Sequence, residues 1–292
     1  MKQKILPSSS PLVKILDASS GRHSFAFLYI TNLCNLACVH CAFQSAPDKR
    51  QSHMDAELVL RILDELYGIH DITITGGEPL LHPDFPKILS HASRCASIVY
   101  VMTNGIFLVG LELLKKLANN NKNLHSLKHT LKNAMDEFPE NVHLFFPLDT
   151  FHLKAFRPYK FLLKGLSQVA REWNLMENKP FIGFLSNDIS PEVSKRLCDE
   201  FNVGSCCHVG TAIFSPWRKV SGIYSWYRAH PLNQTPFPGG IYINYKGVYL
   251  NEGSLLLDLR EGIETPLKIG MLDKNKQDKR QLYNLYLTAF QR

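Results

Sequence analysis

From Phe25 to about residue 209, short runs of apolar and β-branched residues alternate with longer stretches of helical periodicity. That alternation restricts the chain to a parallel sheet with crossover helices. Strands are expected at 25–31, 71–75, 97–102, 142–147, 180–185 and 206–209. Helices are expected at 55–67, from about 83 or 84, at 111–117, 127–137, 159–173 and 191–201, the last with Ser190 as its N-cap. Asn119, Asn120 and Asn121 read as a loop, and no internal repeat or low-complexity tract breaks the pattern.

The 292 residues are 45% hydrophobic, enough for a substantial core. A formal net charge of +7 is spread among interspersed acidic residues. A solvated surface fits that pattern better than a nucleic-acid footprint, which needs a clustered basic face. The first residues lack the apolar core of a secretory signal, and no uninterrupted apolar run is long enough to cross a bilayer, so a soluble, cytoplasmic protein without a membrane partner is expected. Seven cysteines, an odd number with three tightly grouped, suit metal chemistry in a reducing compartment better than a disulfide framework.

The grouped cysteines are Cys34, Cys38 and Cys41, spaced C-x3-C-x2-C directly after the first strand. Three thiolates leave one iron of a [4Fe-4S] cluster open to bind another ligand. Taken alone, Cys34, Cys38, His40 and Cys41 would also permit a non-enzymatic zinc or iron-sulfur protein. Gly76-Gly77-Glu78-Pro79 follows the second strand, where two glycines let the backbone approach a ligand closely and Glu78 adds a carboxylate. Thr103-Asn104-Gly105 follows the third strand. The cysteine loop, residues 76–78, Asn104, Asp149 and Ser186 each stand at or just beyond a strand end, where a β/α barrel carries its reactive groups.

These motifs, in this order, resemble the radical S-adenosylmethionine (radical SAM) superfamily, with His40 at the aromatic position before the last cysteine. The resemblance implies an α/β fold, a partial, TIM-like (β/α)6 barrel that is laterally open. It implies that Cys34, Cys38 and Cys41 are the metal ligands of a catalytic [4Fe-4S] cluster whose open iron is chelated by SAM. Gly76, Gly77 and Glu78 would hold the methionine end, and His40, Asn104, Asp149 and Ser186 would complete the cofactor site. An electron donor such as flavodoxin or ferredoxin would reduce the cluster, and SAM cleavage would yield a 5'-deoxyadenosyl radical that abstracts hydrogen from substrate.

The segment from Leu148 to Pro158 is similar to a fourth-strand region of the family, with Pro147 where many members carry Ser. Asp149 reads either as a ligand for a ribose hydroxyl or substrate, or as a helix N-cap. His152 and Arg157 read as a packed or solvated pair of side chains, with substrate contact as the alternative. Cys206 and Cys207 read as thiols facing opposite ways, and Cys95 and Cys198 as helical core residues.

Beyond Phe214 comes an aromatic, turn-rich stretch at 215–219, then a hairpin over 239–250, residues 267–272, and a helix over about 280–290. This resembles the small α+β SPASM or twitch extension of peptide-modifying members, with Leu250-Asn251-Glu252 where a cluster cysteine would stand. The expected organisation is an N-terminal extension at 1–22, a barrel at 23–214 and a C-terminal extension at 215–292. The extension favours a ribosomally made peptide or a protein as substrate, with a small molecule or cofactor precursor as the alternative.

Overall fold

The computed structural model describes residues 9–20, 23–41, 43–49, 53–119, 123–176, 179–188, 190–211, 240–244, 246–250, 268–275, 278 and 280–290. Residues 215–219, Asn251 and Glu252, singled out above, lie outside the described residues.

Six strands run in parallel: β1 (Phe25–Thr31), β2 (Ile69–Gly76), β3 (Ala96–Met102), β4 (Val142–Pro147), β5 (Phe181–Asp188) and β6 (Cys207–Thr211). On the far side of β1, β7 (Gly240–Asn244) also pairs in parallel, with Phe25 opposite Gly240. β8 (Gly247–Tyr249) and β9 (Lys268–Gly270) then continue the sheet antiparallel. The spatial order is β6-β5-β4-β3-β2-β1-β7-β8-β9, so among the described residues the barrel stays open between β6 and β9.

The crossovers are helical: α2 (Ala56–Glu65), α3 (Phe85–Cys95), α4 (Ile106–Val109), α5 (Leu111–Ala118), α6 (Leu124–Asp136), α7 (Thr150–Ala155), α8 (Tyr159–Trp173) and α9 (Pro191–Phe201). Before them stands α1 (Pro11–Ser20), and after β9 comes α10 (Gln281–Phe290). Their apolar stripes cover one face of the sheet. Ala26, Leu28 and Ile30 of β1, Ile72 and Ile74 of β2, and Val99 and Val101 of β3 are fully buried beneath them. The alternate residues face the lumen, where Phe27 stacks on Tyr242 at 5.2 Å and packs near Tyr29.

Two side-chain caps set helix starts. Asp55 caps α2 by accepting from Leu58 N, and Ser190 caps α9 by accepting from Val193 N, the latter as its sequence predicts. β5 departs from expectation: it runs on through Ser186 to Asp188, because Ser186, Asn187 and Asp188 keep their ladder with Val209, Gly210 and Thr211. The short helices α4 and α7 are not foreseen by periodicity, since one to two turns are too brief to show a repeat, and the ten-residue α1 is not foreseen either.

The cysteine reading needs one correction. Cys198, on α9, is paired in a disulfide with Cys207 at the start of β6. Nine residues of sequence bring the helix back onto the strand, with the two Cα atoms 6.6 Å apart. Cys206 is a buried free thiol, and Cys95 is buried at the last position of α3.

Candidate active site

Backbone hydrogen bonds hold the cysteine loop against the end of β2. The bulge between Tyr29 and Thr31 turns the chain out of β1, and Gly77 N then donates to Thr31 O at 2.7 Å while Glu78 N donates to Leu33 O at 2.8 Å. The approach is too close for side chains. A Cβ on Gly76 would sit 2.2 Å from Thr31 O, and one on Gly77 would sit 2.3 Å from Leu33 O. Gly76 also has φ +137°, a conformation that favours glycine.

Cys34, Cys38 and Cys41 line one cavity of about 260 Å³, together with Gly76, Gly77, Thr103, Asn104, His40, Asp149 and His152. Apolar walls come from Leu36, Phe43, Met102, Phe145, Pro147 and Leu185. Leu36 N donates to Cys34 Sγ at 3.4 Å, and Ser45 N donates to Cys41 Sγ at 3.3 Å. Amides aimed at sulfur stabilise the electron-rich thiolates of an iron-sulfur cluster, so the donor set fits that group. Burial pushes the Cys34 thiol well above its ordinary range, with Glu78 and the other two cysteines adding to the effect.

Glu78 is fully buried and does not line the cavity. Its carboxylate accepts from Leu80 N at 3.1 Å, Thr103 Oγ1 at 2.7 Å and Asn104 N at 2.7 Å. Burial raises its pKa to about 7 against the pull of those donors. The group thus acts on the site through what it holds. Asn104 Oδ1 accepts from Ile106 N at 3.0 Å, and its Nδ2 donates to Asn35 Oδ1 at 2.8 Å, with Cys34 Sγ 3.8 Å away.

Across the cavity, Asp149 is the helix N-cap that its sequence offers as one reading, and it also stands in the cavity wall. It caps α7 by accepting from His152 N at 2.8 Å, and it lines the cavity while its two carboxylate oxygens meet His152 Nδ1 at 2.9 and 2.8 Å. Burial works against a charged His152 ring, but Asp149 outweighs it and raises the pKa to about 10. His40 stacks on Phe151 at 4.4 Å, with Nε2 3.9 Å from Asp149 Oδ2, and burial lowers its pKa to about 4.

Ser186 is brought to no ligand space, because the longer β5 carries it inside the sheet. Its hydroxyl donates to Leu148 O at 2.7 Å, and it is absent from the cavity wall. Arg157 is exposed and stands outside the wall as well. One contributor escapes sequence reading, and a second, Thr103, is named there without a role. Asp188, at the true end of β5, accepts from Thr150 N at 2.6 Å and Thr150 Oγ1 at 3.0 Å, fixing the start of α7. Thr103 is the hydroxyl that meets Glu78. An Asp just before a helix with a His three residues on is the signal that points to the Asp149–His152 pair.

Residues 28–161 match the model of the radical SAM superfamily. Among curated relatives, GTP 3',8-cyclase of Chlorobaculum tepidum is 36% identical over 104 residues, covering 34% of this chain and 31% of that protein. The antilisterial bacteriocin subtilosin biosynthesis protein AlbA of Bacillus subtilis is 34% identical over 106 residues, covering 33% of this chain and 23% of that protein. The matches thus span about a third or less of these relatives' own length. Among solved structures, Streptococcus suis SuiB bound to S-adenosylmethionine aligns at TM-score 0.42 and 14% identity, covering 83% of this chain and 53% of that one. No helix among the described residues is long and apolar enough to cross a membrane.

Proposed function

We propose that this chain, whose residues 28–161 match the model of the radical SAM superfamily, is an enzyme modifying a C–H bond of a ribosomally made peptide or a protein. The observation that carries the catalytic part is the convergence of Cys34, Cys38 and Cys41 with Gly76, Gly77 and Asn104 on one cavity at the strand ends. Cys34, Cys38 and Cys41 would hold a [4Fe-4S] cluster, and the glycine pair would admit the methionine end of SAM against bare backbone. Together cluster and SAM supply a 5'-deoxyadenosyl radical, the hydrogen-abstracting species of this superfamily.

The chain's own share is placement and exclusion. Glu78 fixes Thr103 and Asn104, the Asp149–His152 pair fixes the opposite wall, and Phe43, Met102, Phe145 and Leu185 keep water from the space where a target C–H bond would lie. Those apolar walls suit an amino-acid side chain. Support for a peptide also comes from the likeness to the subtilosin biosynthesis protein and from the hairpin β7–β8 standing beside β1. A small molecule or cofactor precursor is the second reading, favoured by the relatives named GTP 3',8-cyclase.

The test is anaerobic reconstitution with iron and sulfide, reduction by dithionite, flavodoxin or ferredoxin, addition of SAM, and chromatography for 5'-deoxyadenosine. Product that disappears in Cys38→Ala supports the reading. A colourless protein that binds zinc and yields none sinks it. Deuterium passed from labelled peptide into 5'-deoxyadenosine would favour the peptide over the small molecule.

A further inference from the structure

His40 Nδ1 is buried and meets no hydrogen-bond partner. An imidazole nitrogen shut away from water in this manner loses about 1–3 kcal/mol unless something takes its lone pair or proton. What lies beside it is a set of metal-binding atoms. One ring nitrogen of His40, one of His152 and the Cys38 sulfur all lie within 4.8 Å of one another. His152 comes from α7, far along the chain from the cysteine loop, so the fold and not a local motif assembles the group.

The second observation concerns orientation. His152 Nδ1 is committed to Asp149 at 2.8 and 2.9 Å, which leaves Nε2 as the nitrogen that can give up its proton to a metal. A carboxylate that holds one nitrogen of a histidine and presents the other is the usual support of a zinc-ligating imidazole. Asp149 also stands 3.9 Å from His40 Nε2, leaving the orphaned Nδ1 as the coordinating atom on that ring.

We infer that Cys38, His40 and His152 form a mononuclear zinc site in the cluster-free chain, with Asp149 orienting the histidines and water in the fourth position. One thiolate and two imidazoles form a donor set that suits Zn²⁺ in an open, tetrahedral site. Binding would release one proton from Cys38 and one from the His152 ring and leave Cys34 and Cys41 unligated. The site shares Cys38 with the proposed cluster, so the two metals exclude each other. Zinc therefore guards the empty cavity until iron and sulfide displace it.

The experiment uses the full-length, cluster-free chain with reduced thiols, titrated anaerobically with Zn²⁺ against a chromogenic chelator, folding being followed by circular dichroism. The expected result is one zinc per chain, retained in Cys34→Ala and Cys41→Ala. The affinity should fall about 100-fold or more in Cys38→Ala, His40→Phe and His152→Phe, and about 10–100-fold in Asp149→Asn. Should His152→Phe fail to fold, His152→Gln, which keeps a polar side chain against Asp149, is read in its place with the same expectation.

Equal loss in Cys34→Ala or Cys41→Ala would overturn the inference by placing the ion on the three cysteines. Unchanged binding in the His152 variants, or no zinc on the wild-type chain, would overturn it too. Because the titration needs no cluster, a chain that binds zinc as expected but never makes 5'-deoxyadenosine refutes the proposed function and leaves this site standing.

Discussion

The hydroxyl of Thr103 donates to the carboxylate of Glu78 at 2.7 Å, joining the end of β3 to the end of β2 beneath the cavity. Glu78 is buried with a pKa near 7, against an ordinary value of 4.5, so the folded chain holds this proton more tightly than the unfolded one. The contribution of that proton to stability is complete below about pH 4.5 and is lost as pH rises through about 7. The change amounts to roughly 3 kcal/mol. Thermal melts of wild type and Glu78→Gln across this range should show the wild type losing stability relative to the variant as pH rises. Parallel curves would refute the assignment.

Gly77→Ala should be costly although the residue has no positive φ. Its Cβ would meet Leu33 O at 2.3 Å, so the cysteine loop must move off β2. A loss of about 1–3 kcal/mol is expected from such overpacking. SAM affinity of the reconstituted protein, read by isothermal titration, should fall with it.

Asp188→Ala should loosen α7. Its carboxylate receives both the amide and the hydroxyl of Thr150, and helix caps of this kind contribute about 0.5–2 kcal/mol. Hydrogen exchange should quicken at residues 150–155, while α8 keeps its protection. Unaltered exchange in α7 would show that Asp149 alone holds the helix start.

Glu65→Ala tests how the C-terminal helix is fastened. The carboxylate accepts from Leu282 N at 3.0 Å and Tyr283 N at 2.8 Å, satisfying two orphan donors at the start of α10. The substitution should cost about 1–2 kcal/mol. Faster proteolysis within residues 281–290, with the barrel intact, is the expected readout.

Each of Cys34→Ala, Cys38→Ala and Cys41→Ala should abolish stable uptake of iron and sulfide, measured by metal analysis and the visible spectrum. Retention of a full cluster in any of the three would show that its sulfur is not a ligand.

Most of the sheet was legible because its strands are continuous apolar runs between helices of clear period. β1, β4, α8 and α9 fall where their sequences place them. β5 was read too short, since Ser186, Asn187 and Asp188 are polar and only their ladder to β6 keeps them extended. That error placed Ser186 at the rim and hid Asp188. The cysteine loop and the glycine pair announce themselves by spacing, whereas the inward turn of Glu78 does not. A carboxylate beside two glycines reads as a ligand until its three donors are seen. The Cys198–Cys207 pair was missed because a strand following a helix carries no sign of which thiol faces back.

The parallel pairing of β1 with β7 bears on how the protein is made. On the ribosome, β1 can find β2 early, yet its other side has no neighbour until Gly240 and the residues after it have emerged. Until then an aromatic strand, Phe25 to Thr31, stands as an open edge next to three thiols. Late, long-range pairing of this kind is slow and exposes the nascent chain to mispairing. Until β7 arrives that edge stays open to any strand able to pair with it, and the pairing of Phe25 to Leu28 with Gly240 to Ile243 closes it.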